Sequence, residues 1–231
     1  MLRSPVFATI ALLATVGPLS AQTPAPSPPA AAAPAAETPN SPEPMEDAQT
    51  GDHWTYQVRD DITGDIKSTT TYTVTDASAS EINIRFSLLG NPVVGYQTFD
   101  RTWDLTNNGI WRFSPNDGTG IRPPLTVGKS WSFKNTALNT KAGNSLKRSG
   151  TAKVVAQESV TTSAGTFDTF KIETTLQEDN AADATKKLQF VLETWYAPAI
   201  DHWVKRSSIT RSDGRIRDKR SEERRVGKEC R

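Results

Sequence analysis

Two histidines, His53 and His202, one cysteine, Cys230, and scattered aspartates are the groups in this 231-residue chain best suited to chemistry. Nucleophilic catalysis needs a base beside the nucleophile and a third group that orients the base. Each histidine directly precedes a tryptophan, as His53-Trp54 and His202-Trp203. Neighbouring residues on a strand face opposite sides, so inward tryptophans predict solvent-facing histidines with no nucleophile to serve. No G-x-S-x-G elbow occurs. The spacing therefore predicts no catalytic residue and no enzyme.

Metal and cofactor chemistry is no better supplied. Zinc draws on His and Cys at close spacing, and neither H-E-x-x-H nor C-x-x-C is present. Asp60, Asp61 and Asp65 could offer oxygens to calcium, but the closing glutamate of a calcium-binding loop is missing. Acidic residues in a hairpin turn account for them. There is no Gly-rich phosphate loop. No metal and no cofactor are expected. A carboxylate pair for glycoside hydrolysis leaves no local signature on strands. Asp100 and Asp104, flanking Trp103, are where one would be sought first.

The elements that must carry these residues alternate with period two. Trp54, Tyr56 and Val58 alternate with polar neighbours, as do Ile82, Ile84, Phe86 and Leu88. The same holds for Phe170, Ile172, Thr174 and Leu176, and for Leu188, Phe190 and Leu192 continuing through Thr194 to Tyr196. Such alternation puts one face of an antiparallel strand on a core and the other in water. Turn signals separate the segments at Asp61 to Asp65, Asn107 to Gly109, Asn116 to Gly118, Ala164-Gly165 and Ser212 to Gly214. Residues 178 to 187, EDNAADATKK, suit either a short helix or a mobile hairpin loop. The expected fold is all-β: a single antiparallel, strongly curled sheet or half-barrel of about nine or ten strands. Gly51-Asp52-His53-Trp54-Thr55-Tyr56 echoes Gly128-Lys129-Ser130-Trp131-Ser132-Phe133, which predicts two strand starts of the same design.

The chain ends have other compositions. Arg3, an apolar run from Val6 to Leu19 and Leu19-Ser20-Ala21 lay out a secretory signal peptide over residues 1–21. That run is shorter than the roughly 20 residues a membrane-spanning helix needs. No membrane insertion is expected after cleavage, and no cysteine follows the cut to carry a lipid anchor. Residues 22–50 are rich in Pro and Ala and predict a disordered linker. Residues 51–217 are the expected domain, and 218–231 a disordered charged tail. The closing SEERRVGKECR resembles a read-through from sequencing or cloning sequence; its alternative is a natural basic tail. Between residues 22 and 220 the balance is 22 basic against 23 acidic residues. A nearly neutral domain has no electrostatic footprint for nucleic acid.

Three stretches taken together, TVGKSWSFK (126–134), SAGTFDTFKIE (163–173) and WYAPAIDHWVKR (195–206), resemble the TapB-like group of exported bacterial proteins of unknown function. The resemblance covers most of residues 51–206. It implies export and an antiparallel, half-barrel-like sheet, and carries over no catalytic or binding residue. Pro198 lacks a backbone donor, so strand pairing should stop there and turn a corner, with Asp201 and His202 near solvent.

Six tryptophans remain as raw material for binding. Most should be core; Trp103, Trp111 and Trp131 are the candidates to line a groove. The functional expectation is a non-enzymatic periplasmic or secreted β-module. It would bind a hydrophobic or glycan small ligand, or a cell-envelope protein. The alternatives are a structural or assembly module with no small ligand, and a hydrolase using strand-borne carboxylates.

Overall fold

β-branched and aromatic residues fill the alternating segments, and in a computed structural model they form strands throughout the described residues, 47–180 and 183–229. The expected signal peptide and almost all of the expected linker lie outside these residues. The strands are β1 (His53–Asp60), β2 (Ile66–Ala77), β3 (Glu81–Leu88), β4 (Val94–Asp100), β5 (Leu105–Asn107) and β6 (Trp111–Ser114). They continue as β7 (Ser130–Asn139), β8 (Ser145–Thr162), β9 (Gly165–Asn180), β10 (Asp183–Ala197), β11 (His202–Ser212) and β12 (Arg215–Glu229). Each pairs antiparallel with the next, and β12 returns to pair with β1, closing an up-and-down barrel.

The all-β, antiparallel expectation is met, but an open sheet of nine or ten strands is replaced by a closed barrel of twelve. Two strands were too short to read: β5 has three residues and β6 four. β12 was hidden by its composition. Residues 218–229, expected to be a disordered tail, belong instead to a strand that pairs with both β11 and β1. Its charged residues divide between the two faces of the strand. Glu223 faces outward and meets Lys205 at 3.0 Å, and Arg225 donates to Gln57 at 3.1 Å. Glu222 and Arg224 face the other way, into the barrel. The helix considered over 178–187 does not form, since Asn180 ends β9 and Asp183 begins β10.

The echo between residues 51 and 128 is a repeat of backbone geometry. Gly51 (φ 98°) and Gly128 (φ 94°) both take a positive φ that favours glycine. Their amides donate to Val74 and Val154 carbonyls, each at 2.8 Å, and the return bonds from Val74 and Val154 amides are also 2.8 Å. Each turn therefore starts a hairpin in the same way, as the sequence predicts. Elsewhere a missing side chain makes room for a ring. A Cβ on Gly150 would lie 2.4 Å from the Phe133 ring, and one on Gly118 only 2.1 Å away. Phe133 is thus held between β8 and the β6–β7 connection.

Even hairpin geometry fixes the two ends of the barrel. The turns leaving β1, β3, β5, β7 and β11 and the last residue of β9, Asn180, share one end. The corner Pro198–Ile200, the β6–β7 connection and Trp103 lie at the other. That second end is filled by Trp54, Tyr56, Val74, Ile82, Ile84, Phe99, Trp103 and Trp203. A smaller cluster, Phe167, Trp195, Ala197, Ile200 and Val204, packs on the face of β10 opposite Thr194 and Tyr196.

Closure through β12 makes a direct prediction. A chain ending at Arg217 loses every β1–β12 pair and the β11–β12 pairs from Asp218 onward, exposing two long unpaired edges. It should lose cooperative thermal unfolding by circular dichroism. A cooperative transition at the full-length midpoint would show that β12 is dispensable.

Candidate functional site

The start of β11 breaks the strand alternation, and that break builds the centre of the barrel interior. Asp201 takes a left-handed conformation (φ 45°) and its amide donates to the Pro198 carbonyl at 3.2 Å. Two residues later Trp203 pairs with Tyr196 but Lys205 with Trp195, leaving Val204 as the extra residue of a bulge. Consequently His202, Trp203 and Val204 are all buried in succession, at 0, 6 and 0 % exposure. The corner at Pro198 forms as expected, but His202 is not near solvent. The period-two argument fails there because a bulge and a left-handed residue flank it.

His202 is held by specific bonds. Its Nδ1 lies 2.8 Å from the Tyr56 hydroxyl and 3.1 Å from the Trp203 carbonyl. The Tyr56 hydroxyl donates to that same carbonyl. A carbonyl only accepts and the tyrosine proton is already used, so Nδ1 must carry the imidazole proton. Nε2 is then a bare acceptor, and it has no hydrogen-bond partner among the described residues. The ring sits 3.7 Å from Trp203 and 4.5 Å from both Trp54 and Trp103, centroid to centroid. Burial, reinforced by the charge of Arg224, holds His202 well below its ordinary pKa and hence neutral. Burial raises the Tyr56 hydroxyl well above its ordinary value, keeping it a donor.

Beyond this aromatic layer the interior turns polar. The Arg206 guanidinium stacks 3.5 Å over the Trp203 ring, and Glu222 accepts from Trp203 Nε1 at 3.1 Å. Burial raises Glu222 against the opposing charge of Arg206, and burial lowers Arg206. Arg206 Nε and Nη2 have no hydrogen-bond partner among the described residues. Two cavities meet at this point. A deeper one of about 150 Å³ is walled by the Trp54, Phe99, His202 and Trp203 side, with Asp117 and Thr119. A larger one of about 580 Å³ runs toward the turn end of the barrel. Both are lined by Tyr72, Arg206 and Glu222, which form the neck between them.

The larger cavity has two kinds of wall. Val58, Tyr72, Phe86, Leu88 and Leu192 supply apolar surface, and Thr70, Ser208, Lys67 and Arg220 supply polar groups. Near its mouth the charges are paired, Lys67 with Asp60 at 3.0 Å and Arg220 with Asp218 at 2.7 Å. A volume within about 300–1,000 Å³, with apolar walls and a few polar groups, is the usual make-up of a small-molecule site.

The residues singled out in the sequence are placed elsewhere. Trp103 is 1 % exposed within the aromatic end, Trp131 packs against the Ile121, Val154 and Ile172 cluster, and Trp111 is half-buried in β6. None of the three lines either of the two cavities. His53 is half-buried, with Nδ1 3.2 Å from the Gly51 carbonyl. The carboxylates of Asp100 and Asp104 are occupied by the β4–β5 loop and by the β6–β7 connection packed against it. Asp100 accepts from the Thr102 amide and hydroxyl and from the Asp104 amide, at 2.8, 2.7 and 3.1 Å. Asp104, fully buried, accepts from the Gly120 amide at 2.6 Å and pairs with Arg122; burial and nearby Asp117 push it up to about 6. Asp60 caps its hairpin, accepting from the Ile62 amide at 2.8 Å. Arg206 and Glu222 carry no sequence signal that marks them out. Arg206 lies beyond the bulge that resets the alternation, and Glu222 lies in the segment whose composition resembles a tail.

No protein-family model matches the chain, and no curated protein matches it significantly in sequence. Solved structures do share its fold. One is a Parabacteroides distasonis protein provisionally named a lipoprotein, with a TM-score of 0.52 at 13 % identity, over 81 % of this chain and 99 % of that one. Another is from Bacteroides fragilis, provisionally named an exported protein with a YmcC-like fold. Its TM-score is 0.51 at 13 % identity, over 82 % of this chain and all of the other. At this identity the likeness is one of fold.

The His202 environment predicts a pH signature. Its folded pKa is depressed, so below about pH 6.5 the unfolded chain takes up a proton that the folded chain refuses. Stability from this group is full above pH 6.5 and declines as the pH falls. His202→Gln should therefore lose less stability than the parent between pH 7 and 5 in denaturant titrations, although it is less stable at pH 7. Equal slopes would refute a neutral buried imidazole. Tyr56→Phe leaves the His202 Nδ1–H with only the longer bond to the Trp203 carbonyl, and should cost about 1–3 kcal/mol in the same assay.

Proposed function

We propose that the protein is a non-enzymatic binding module of the cell envelope. Its barrel interior takes a small ligand that has both apolar and polar parts, a hydrophobic molecule or a glycan. The observation that carries this reading is the pair of cavities joined at Tyr72, Arg206 and Glu222. An apolar wall accepts a chain or a sugar face, while hydroxyls and the stacked guanidinium of Arg206 meet the polar part. Catalysis is not part of the proposal: His202 is neutral and enclosed by rings, the Tyr56 hydroxyl beside it donates to the Trp203 carbonyl, and the Asp100 and Asp104 carboxylates accept from the loops packed around them.

Export is supported by the charged, apolar and small-residue layout of residues 1–21. It is consistent with the names given to the two proteins that share the fold. In the periplasm or outside the cell, the module meets ligands of the envelope rather than nucleic acids.

Native mass spectrometry of protein purified from the periplasm tests the proposal. The expected result is a reproducible added mass of a lipid or glycan. Leu192→Trp and Ser208→Trp, singly and combined, place indoles in the larger cavity and should remove that mass while the barrel still melts cooperatively. Clean apo protein that instead retains an envelope protein would sink ligand binding. An added mass unaffected by both substitutions would place the ligand outside the cavity.

A further inference from the structure

Exposed large apolar side chains are spread over this barrel very unevenly. Among the described residues they are Ile62, Ile66, Leu89, Val93, Val94, Tyr96, Ile110, Val127, Leu138 and Ile216. All but Val127 lie in, or within three residues of, the hairpin turns at the end where the larger cavity opens. Scattered single apolar residues need no explanation on a soluble protein, but confinement to one end does. The most exposed are at the tips themselves: Leu89 is 82 % exposed, Ile62 65 % and Val93 63 %. Three turns, β1–β2, β3–β4 and β11–β12, carry seven of these residues. The strands of the same three hairpins supply most of the cavity wall: Val58, Asp60, Lys67, Phe86, Leu88, Asp218 and Arg220.

The barrel wall itself is unlike this end. Outward positions along β9 to β12 carry charged residues, with Lys171 bonded to Glu193 at 2.6 Å and Lys205 to Glu223 at 3.0 Å. A barrel that spans a bilayer needs an apolar outer band, so its side is made for water. Among the described residues, every exposed large apolar side chain except Val127 lies at the mouth. Around the β11–β12 turn that surface is accompanied by cations: Arg211, Arg215 and Arg217 flank Ile216, with Asp213 the one acid. At this turn an apolar tip flanked by arginines matches the acyl edge and phosphate layer of an anionic bilayer, while the uncharged β3–β4 turn and Ile62, which sits between Asp61 and Asp65, add apolar surface without positive charge. A protein partner would be better served by one contiguous patch than by side chains on separate turns.

We infer that the open end of the barrel docks on the surface of an anionic phospholipid bilayer, through Ile62, Leu89, Val93 and Ile216 at the cavity mouth. Docking is peripheral, and the side of the barrel stays in water. It places the mouth of the cavity against the lipid, so that an apolar ligand can pass without crossing water. The docking surface stands independently of what, if anything, fills the cavity.

Sedimentation with vesicles tests this, using the chain from Gln22 onward, which omits the apolar leader and keeps every described strand. The probes are vesicles of phosphatidylethanolamine with phosphatidylglycerol, and vesicles of phosphatidylcholine alone. Binding is expected to the first and weaker binding to the second. Because each buried apolar side chain contributes on the order of a tenfold change in partitioning, Ile62→Asp with Leu89→Asp should weaken it by at least roughly that factor. Arg215→Gln with Arg217→Gln should remove the preference for anionic vesicles, and Val127→Asp, at the other end, should change nothing. All five positions are solvent-exposed, and the one ion pair at stake, Arg217 with Asp213, is long at 3.8 Å, so folding is preserved. No sedimentation with either vesicle overturns the inference. So does binding that the Ile62 and Leu89 substitutions leave intact, or a concentration-dependent dimer that they abolish in place of vesicle binding. Any of these outcomes leaves the native mass measurement on the cavity to stand or fall separately.

Discussion

The pairing of β12 with β1 is the constraint on which everything else in the molecule rests. Twelve antiparallel strands without it would be a sheet with two free edges, each a row of unsatisfied amides and carbonyls open to other chains. With it, no edge remains, and the inward face of each strand is enclosed rather than laid on a separate layer. The interior is therefore too wide for side chains alone to fill evenly. A barrel of this strand number has room for a ligand unless large residues or a loop occupy it.

The two ends resolve that surplus of space differently. At the corner end Trp103 meets Trp54 and His202 edge to face while Tyr56 stacks on Trp203, and the β6–β7 connection folds back so that Asp117 accepts from the Leu105 amide. At the turn end the inward residues of β2, β11 and β12 include threonine, serine, arginine and glutamate, which leave cavity. Burying the polar groups at the neck costs free energy that their contacts must offset. Trp203 meets two of them at once, its face under Arg206 and its indole nitrogen against Glu222. Trp203 thus links the packed end to the open one, and it does so only because the Val204 bulge keeps both His202 and Trp203 inside.

Much of the fold was legible in the chain. Alternation at Trp54 to Val58, Ile82 to Leu88 and Phe170 to Leu176, with turns at Gly64, Gly109 and Gly214, indicated an antiparallel all-β domain, because period two is imposed by the pleat wherever one face is buried. The paired glycine turns at 51 and 128 were also visible, since a positive φ restricts the residue type. The candidate site was much less legible. Trp103, Trp111 and Trp131 stand out by size, and none of them lines the two cavities, because size does not say which face or depth of a barrel a residue occupies. His202 was misplaced because one extra residue in a strand reverses the face of its neighbours.

Local composition thus determined the secondary structure, the strand directions and the shift to a different composition at residues 1–50. Only the tertiary structure decided closure, the identity of the last strand and the cavity. Whether two edges meet depends on the accumulated twist and register of all twelve strands, which no segment encodes alone. The charged run from Asp218 to Arg225 looks like a solvated tail until Lys205 and Gln57 are brought beside it. The same holds for Tyr56 and His202, 146 residues apart, whose bond exists only because the barrel closes around it.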